Sequence, residues 1–139
     1  MKKMTLRALP LLLVVLLLLA SCGGESYVPW DHATYTEDTE LGEGAVTVTV
    51  LVTAEDKTVT ITLHTDKTNL ADALLEHELC SGEVGDFGLF IDHVNGIRAD
   101  YELDGGYYWG ITVNGETAMS GASDVLIFPG ATYELTRTK

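Results

Sequence analysis

Two stretches of near-strict alternation constrain this chain more than anything else in it. Residues 45–53 read Ala-Val-Thr-Val-Thr-Val-Leu-Val-Thr, and residues 58–64 read Thr-Val-Thr-Ile-Thr-Leu-His. A period of two with β-branched residues at most positions suits a pleated strand and is poorly tolerated by a helix. Ala54-Glu55-Asp56-Lys57 between them reads as a turn, so the two runs form a β-hairpin. Val59, Ile61 and Leu63 fall on one face and the threonines on the other. Only one side of the resulting sheet is therefore deeply buried.

The period then changes. Residues 69–79 carry Leu70, Ala73 and Leu74 on one helical face, with Cys80 continuing it. Thr68 reads as the N-cap, Asp72 lies in the first turn where the helix dipole favours negative charge, and Ser81-Gly82 ends the helix. Beyond it, Gly85, Gly88, Gly96, Gly105 and Gly106 separate short strand candidates at 89–94 and 107–113. Asn114-Gly115 is a hairpin-turn signal, Phe128-Pro129-Gly130 is another turn, and 132–138 alternates as a closing strand. The order of strand, strand, helix and further strands predicts an α+β domain: a small β-grasp-like mixed sheet with one packed helix.

The first residues belong to a different class. Met1-Lys2-Lys3 and Arg7 precede a leucine-rich run of about 13 residues, short of the ~20 a spanning helix needs. That pattern is an export signal. Leu19-Ala20-Ser21-Cys22 resembles the lipobox of bacterial lipoproteins. The resemblance implies that residues 1–21 are removed and that Cys22 is diacylated as the new N-terminus. It also implies an extracytoplasmic protein anchored to the membrane through lipid. Residues 22–44 are polar and acidic without an apolar period, and read as a flexible tether. Tyr27, Pro29, Trp30 and Tyr35 are unusual in such a spacer.

All 21 acidic residues lie after position 21, whereas Lys2, Lys3 and Arg7 of the 8 basic residues lie before it. The mature formal charge is therefore 5 − 21 = −16. This excludes nucleic acid as a partner, because the phosphate backbone would be repelled. With Cys22 acylated, Cys80 has no partner for a disulfide and reads as a small core residue.

Tyr107, Tyr108 and Trp109 are the most ligand-like cluster. Glycines at 105, 106 and 110 flank them, so a flat ligand can approach the backbone closely. On a strand, Tyr107 and Trp109 share one face and Tyr108 takes the other. Asn114, and Gly121, Ser123 and Asp124 of the Ser120-Gly121-Ala122-Ser123-Asp124 loop, complete the candidate ligand-binding set. Asn114, with Gly115, reads first as a type I′ turn residue, and the loop residues read equally as turn formers. Asp100, Glu102 and Asp104 alternate, so a strand would present three carboxylates to a calcium ion, although EF-hand spacing is lacking. The histidines show no metal-ligand spacing. No Gly-x-Ser-x-Gly elbow, His-Glu-x-x-His pair or phosphate loop occurs. The chain reads as a non-enzyme with no catalytic residue, no assigned metal ligand and no required cofactor.

Four stretches taken together resemble the transcobalamin C-terminal-like domain. They are Thr68-Asn69-Leu70-Ala71-Asp72-Ala73-Leu74-Leu75, Val94-Asn95-Gly96-Ile97-Arg98-Ala99-Asp100, Tyr107-Tyr108-Trp109-Gly110-Ile111-Thr112-Val113-Asn114-Gly115, and Gly121-Ala122-Ser123-Asp124. The resemblance covers residues 45–139. It implies a β-rich lid over a corrinoid, with Tyr108-Trp109 and the Gly121–Asp124 stretch carrying the likeness. The large helical domain of the animal cobalamin carriers has no counterpart among these 139 residues. The reading that follows is a surface lipoprotein with a small-ligand module, for cobalamin or another corrinoid, serving an uptake system. Its rivals are an adhesion or assembly module for protein or glycan, and an acidic calcium-binding domain.

Overall fold

The alternating runs pair as expected. The computed structural model describes residues 26–139. The export signal, Cys22 and the first residues of the expected tether lie outside the described residues. Strand β1 spans Thr39–Leu41, β2 Val46–Ala54 and β3 Lys57–Thr65. β2 and β3 pair antiparallel in unbroken register from Val46↔Thr65 to Ala54↔Lys57. Val48, Val50, Val52, Ala54, Val59, Ile61 and Leu63 are all at most 1% exposed. The threonines take the outer face, where the Thr53 and Thr58 hydroxyls meet at 2.8 Å.

Helix α1 spans Leu70–Leu75 and buries Leu70, Ala71, Ala73 and Leu74 in the same apolar cluster. Next come β4 (Cys80–Gly85), β5 (Gly88–Val94), β6 (Ile97–Arg98), β7 (Tyr108–Val113), β8 (Glu116–Thr117) and β9 (Thr132–Thr138). β9 enters the first sheet parallel to β2, and β7 pairs antiparallel with β9. The result is a six-stranded mixed sheet in the order β1-β3-β2-β9-β7-β8, and a separate antiparallel sheet β4-β5-β6. The fold is α+β and mostly strand, with one short α-helix among the described residues.

Three sequence expectations are corrected. The helix is shorter than residues 69–79. Its N-cap is Asn69 rather than Thr68, the Asn69 side chain accepting the Asp72 N–H at 2.9 Å. It ends in a Schellman motif: Leu79 N–H donates to the Leu74 carbonyl at 2.9 Å and Glu78 N–H to that of Leu75 at 3.1 Å, with Glu78 at φ 55°. Cys80 therefore opens β4 instead of extending the helix, and Ser81-Gly82 lie inside that strand. The second correction is the second sheet. β4 is exposed from Ser81 to Gly85, so it has no alternation for a sequence reading to find.

The third correction concerns the tether. From Tyr27 onward, residues of the 22–44 segment pack on the domain. Pro29–His32 forms a 3₁₀ turn with Pro29 buried. The Trp30 indole N–H donates to the Ala54 carbonyl at 2.8 Å. Buried Asn95 reads the backbone of Tyr35 from both sides, accepting its N–H and donating to its carbonyl, each at 2.8 Å. β1 pairs parallel to β3 and covers the edge of the hairpin. A composition-based reading misses this because the segment is held by a few aromatic and backbone contacts rather than by an apolar period.

Leu74 is fully buried under the sheet. Leu74→Ala is expected to cost about 2–5 kcal/mol, read as a lowered urea midpoint with unchanged slope.

Candidate functional site

β5 and β7 pack side by side, and the loop after β8 closes over them. Between these three elements lies a half-open cleft of ≈ 280 Å³. Its walls are Leu89, Phe90 and Ile91 on one side, Tyr108 to Ile111 on the other, and the 117–122 loop at the end. The walls are mainly apolar. Rings that would ordinarily be buried stand open at the rim: Phe90 is 64% exposed and Tyr108 45%. Phe87 at the β4–β5 turn and Met119 in the loop are almost wholly exposed.

Local backbone chemistry explains how the cleft is held. Gly88 has φ +91°, and a side chain there would meet the Ser123 hydroxyl at 2.7 Å. Only glycine suits that position. The Ser123 hydroxyl accepts the Leu89 N–H at 3.0 Å, tying the loop to β5. Ala122–Asp124 is a 3₁₀ turn with Ala122 buried beneath it.

Of the seven residues singled out by sequence, the cleft gathers three: Tyr108, Trp109 and Gly121. Trp109 is only 7% exposed, and its indole N–H donates to the Asp92 carbonyl at 3.3 Å. It forms the floor and offers no free ring face. Tyr107 precedes β7 and lies under the Arg137 guanidinium at 4.0 Å, away from the cleft lining. Asn114 sits at the far end of β7, where φ values of 50° and 85° at Asn114 and Gly115 match a type I′ turn. Its side-chain oxygen accepts the Thr132 N–H at 2.9 Å. Ser123 is engaged by β5, and Asp124 is exposed outside the lining. Sequence reasoning missed Phe90, Phe87 and Met119. The signal was large apolar residues set among Gly85, Gly88 and Gly121, with Phe87, Leu89 and Phe90 beside the first two and Met119 beside the third.

The carboxylate triad is corrected as well. Residues 100–104 form a turn rather than a strand. The Asp100 side chain accepts the N–H groups of Glu102 and Leu103 at 3.0 Å each. Asp104 takes a two-pronged bond from Arg98 at 2.9 and 2.8 Å and accepts the Asp100 N–H at 2.8 Å. That Arg98 bond holds the Asp104 carboxyl below its ordinary range, against the opposing effect of burial. Two of the three carboxylates are thus occupied by the chain itself. No cluster of three or more His, Cys, Asp or Glu side chains placed to hold a metal occurs among the described residues. Cys80 is buried, and desolvation, aided by the Asp92 charge, pushes its thiol up to about 12. It stays protonated near neutral pH.

Comparison with known proteins gives three findings. Residues 68–135 match the model of a family described as a domain of unknown function, DUF4430. A crystal structure of a proposed metal-binding protein from Ruminococcus gnavus ATCC 29149 is 30% identical. Its TM-score is 0.62, with 68% of this chain and 97% of that one covered. The crystal structure of haptocorrin in complex with Cbi is 19% identical with a TM-score of 0.54. That match covers 68% of this chain and 25% of haptocorrin. No curated protein matches the chain.

Proposed function

The chain belongs to the DUF4430 family, a transcobalamin-like C-terminal family, and from that premise we propose that it is a lipid-anchored extracytoplasmic module that grips one face of a flat, largely apolar ligand. The observation that carries this reading is the apolar cleft with open aromatic rings at its rim. Exposed Phe90 and Tyr108 lose little by solvation and gain by stacking once a planar ligand covers them. A corrinoid, cobalamin or a relative of it, is the ligand class proposed. The central parallel pair β2 and β9, each flanked by an antiparallel partner, supports the β-grasp-like description of the main sheet.

Magnitude decides how the module works. A cleft of ≈ 280 Å³ lies at the low end of pocket size for even drug-sized ligands and cannot enclose a corrinoid. The domain would cover one face, and an uptake partner would supply the rest. Binding rather than catalysis is the proposed role, because the cleft walls are mainly apolar.

Calorimetry of the described domain with cobalamin and cobinamide tests this. Binding is expected in the micromolar to millimolar range, roughly −4 to −8 kcal/mol. Phe90→Ala and Tyr108→Ala should each weaken it by about 5- to 150-fold, taking ~1–3 kcal/mol for a lost stacking contact. An absence of heat at millimolar corrinoid would remove the ligand class. The rival adhesion reading would then lead, on the strength of β4: among the described residues it pairs only with β5, and it leaves residues 81–85 exposed along an outer edge.

A further inference from the structure

The same end of the domain that receives the chain from Cys22 carries features of a membrane-contacting surface. Tyr27 is fixed there on all sides. Its hydroxyl accepts the Arg98 N–H at 2.6 Å, and its ring stacks on His32 at 4.6 Å. Arg98 lies over it at 4.6 Å and Arg137 at 5.3 Å. Cys22 stands five positions before Tyr27, and five residues cannot reach beyond about 18 Å. A free tether over residues 22–44 would have reached roughly 70–80 Å.

We propose that this end of the domain rests on the surface of the membrane that holds Cys22, with the turn at 101–103 in the headgroup layer. The proposal depends on acylation of Cys22. Two observations beyond chain length point the same way. Tyr101 and Leu103, beside the Arg98–Asp104 clamp, are 66% and 72% exposed, and Val28 next to Tyr27 is 48% exposed. An aromatic and two aliphatic side chains at one end suit the water–lipid boundary, where an apolar contact enters by ~5–10 Å. The charge distribution agrees. Lys57 lies over Trp30, Arg98 and Arg137 over Tyr27, and Lys139 over Tyr107, so four of the five cations of the mature chain collect here. Glu55, Asp100 and Asp104 lie beside them, and Lys67 is the one remaining cation of the mature chain. A body of charge −16 meets a headgroup surface with least repulsion through this end.

The test uses the full acylated chain in phosphatidylcholine vesicles with headgroup spin labels. An environment-sensitive dye is placed on Leu103→Cys or, at the far end of β3, on Lys67→Cys. Cys80 stays unlabelled because its thiol is buried and protonated. The dye at 103 should shift to the blue and be quenched by the lipid label, and the dye at 67 should do neither. In Cys22→Ala the dye at 103 should behave as in water. Labelled variants that keep Cys22 and are held by membranes with equal quenching at 103 and 67 would overturn the orientation and leave the anchor intact. Wild type absent from the membrane fraction would overturn both.

Discussion

Replacing Trp109 by alanine is expected to destabilise the domain by about 3–5 kcal/mol, among the largest losses available to a single core residue here. Trp109 lies on β7 in the main sheet, yet its indole N–H reaches the Asp92 carbonyl on β5 of the second sheet. Its removal opens a cavity between the sheets and leaves the Asp92 carbonyl without that donor. Against a typical total stability of about 5–15 kcal/mol, such a loss leaves a partly unfolded population at 37 °C. Tyr108→Ala, one residue away with its ring open to solvent, should stay within about 0.5 kcal/mol of wild type. Urea unfolding of both variants checks the contrast. Equal, small losses would mean that Trp109 is not a seam between the sheets. For ligand binding the order reverses: Tyr108 is the informative position, and any loss of binding in Trp109→Ala must first be cleared of unfolding.

The contrast shows how far the sequence could be read. The hairpin, the central helix and β9 were legible because one face of each is buried, so burial writes itself as a period of two or of 3.6. The boundaries 132–138 emerge unchanged as Thr132–Thr138. β4 and the 26–44 segment were not legible. Ser81 to Gly85 are exposed, and Tyr27, Trp30 and Tyr35 dock through a few contacts each to groups distant in sequence, such as Arg98, Ala54 and Asn95. Long-range contacts of that kind leave no local pattern. In the site the aromatic run was visible as a run, but not as a division of labour. Alternation gave Tyr108 the opposite face from its neighbours. It did not say that the buried tryptophan floors a cleft while a phenylalanine from another strand completes the rim.

Asp104→Ala is expected to cost about 3–5 kcal/mol, because it breaks a buried charge pair from one side. The Asp104 carboxylate is 3% exposed and satisfies Arg98 twice, with the Arg137 guanidinium a further 3.7 Å away. Without it Arg137, whose side chain is only 5% exposed, keeps Glu55 at 3.8 Å as its one remaining carboxylate partner. The loss should reach beyond the turn, since Arg98 and Arg137 also clamp Tyr27 and so the N-terminal segment. Acid should mimic it. The folded carboxyl is held below its ordinary value, so the unfolded chain binds a proton first as pH falls. The stabilisation is therefore full above the unfolded value, near pH 4, and drains away between there and the lower folded value. Asp104→Asn, which keeps the shape and removes the charge, should lie well below wild type in stability at pH 7 and approach it below about pH 4. Urea midpoints of both proteins across that range measure this. A gap that stays constant with pH would show that the carboxylate acts through shape and neutral hydrogen bonds, and not through its charge on the two arginines.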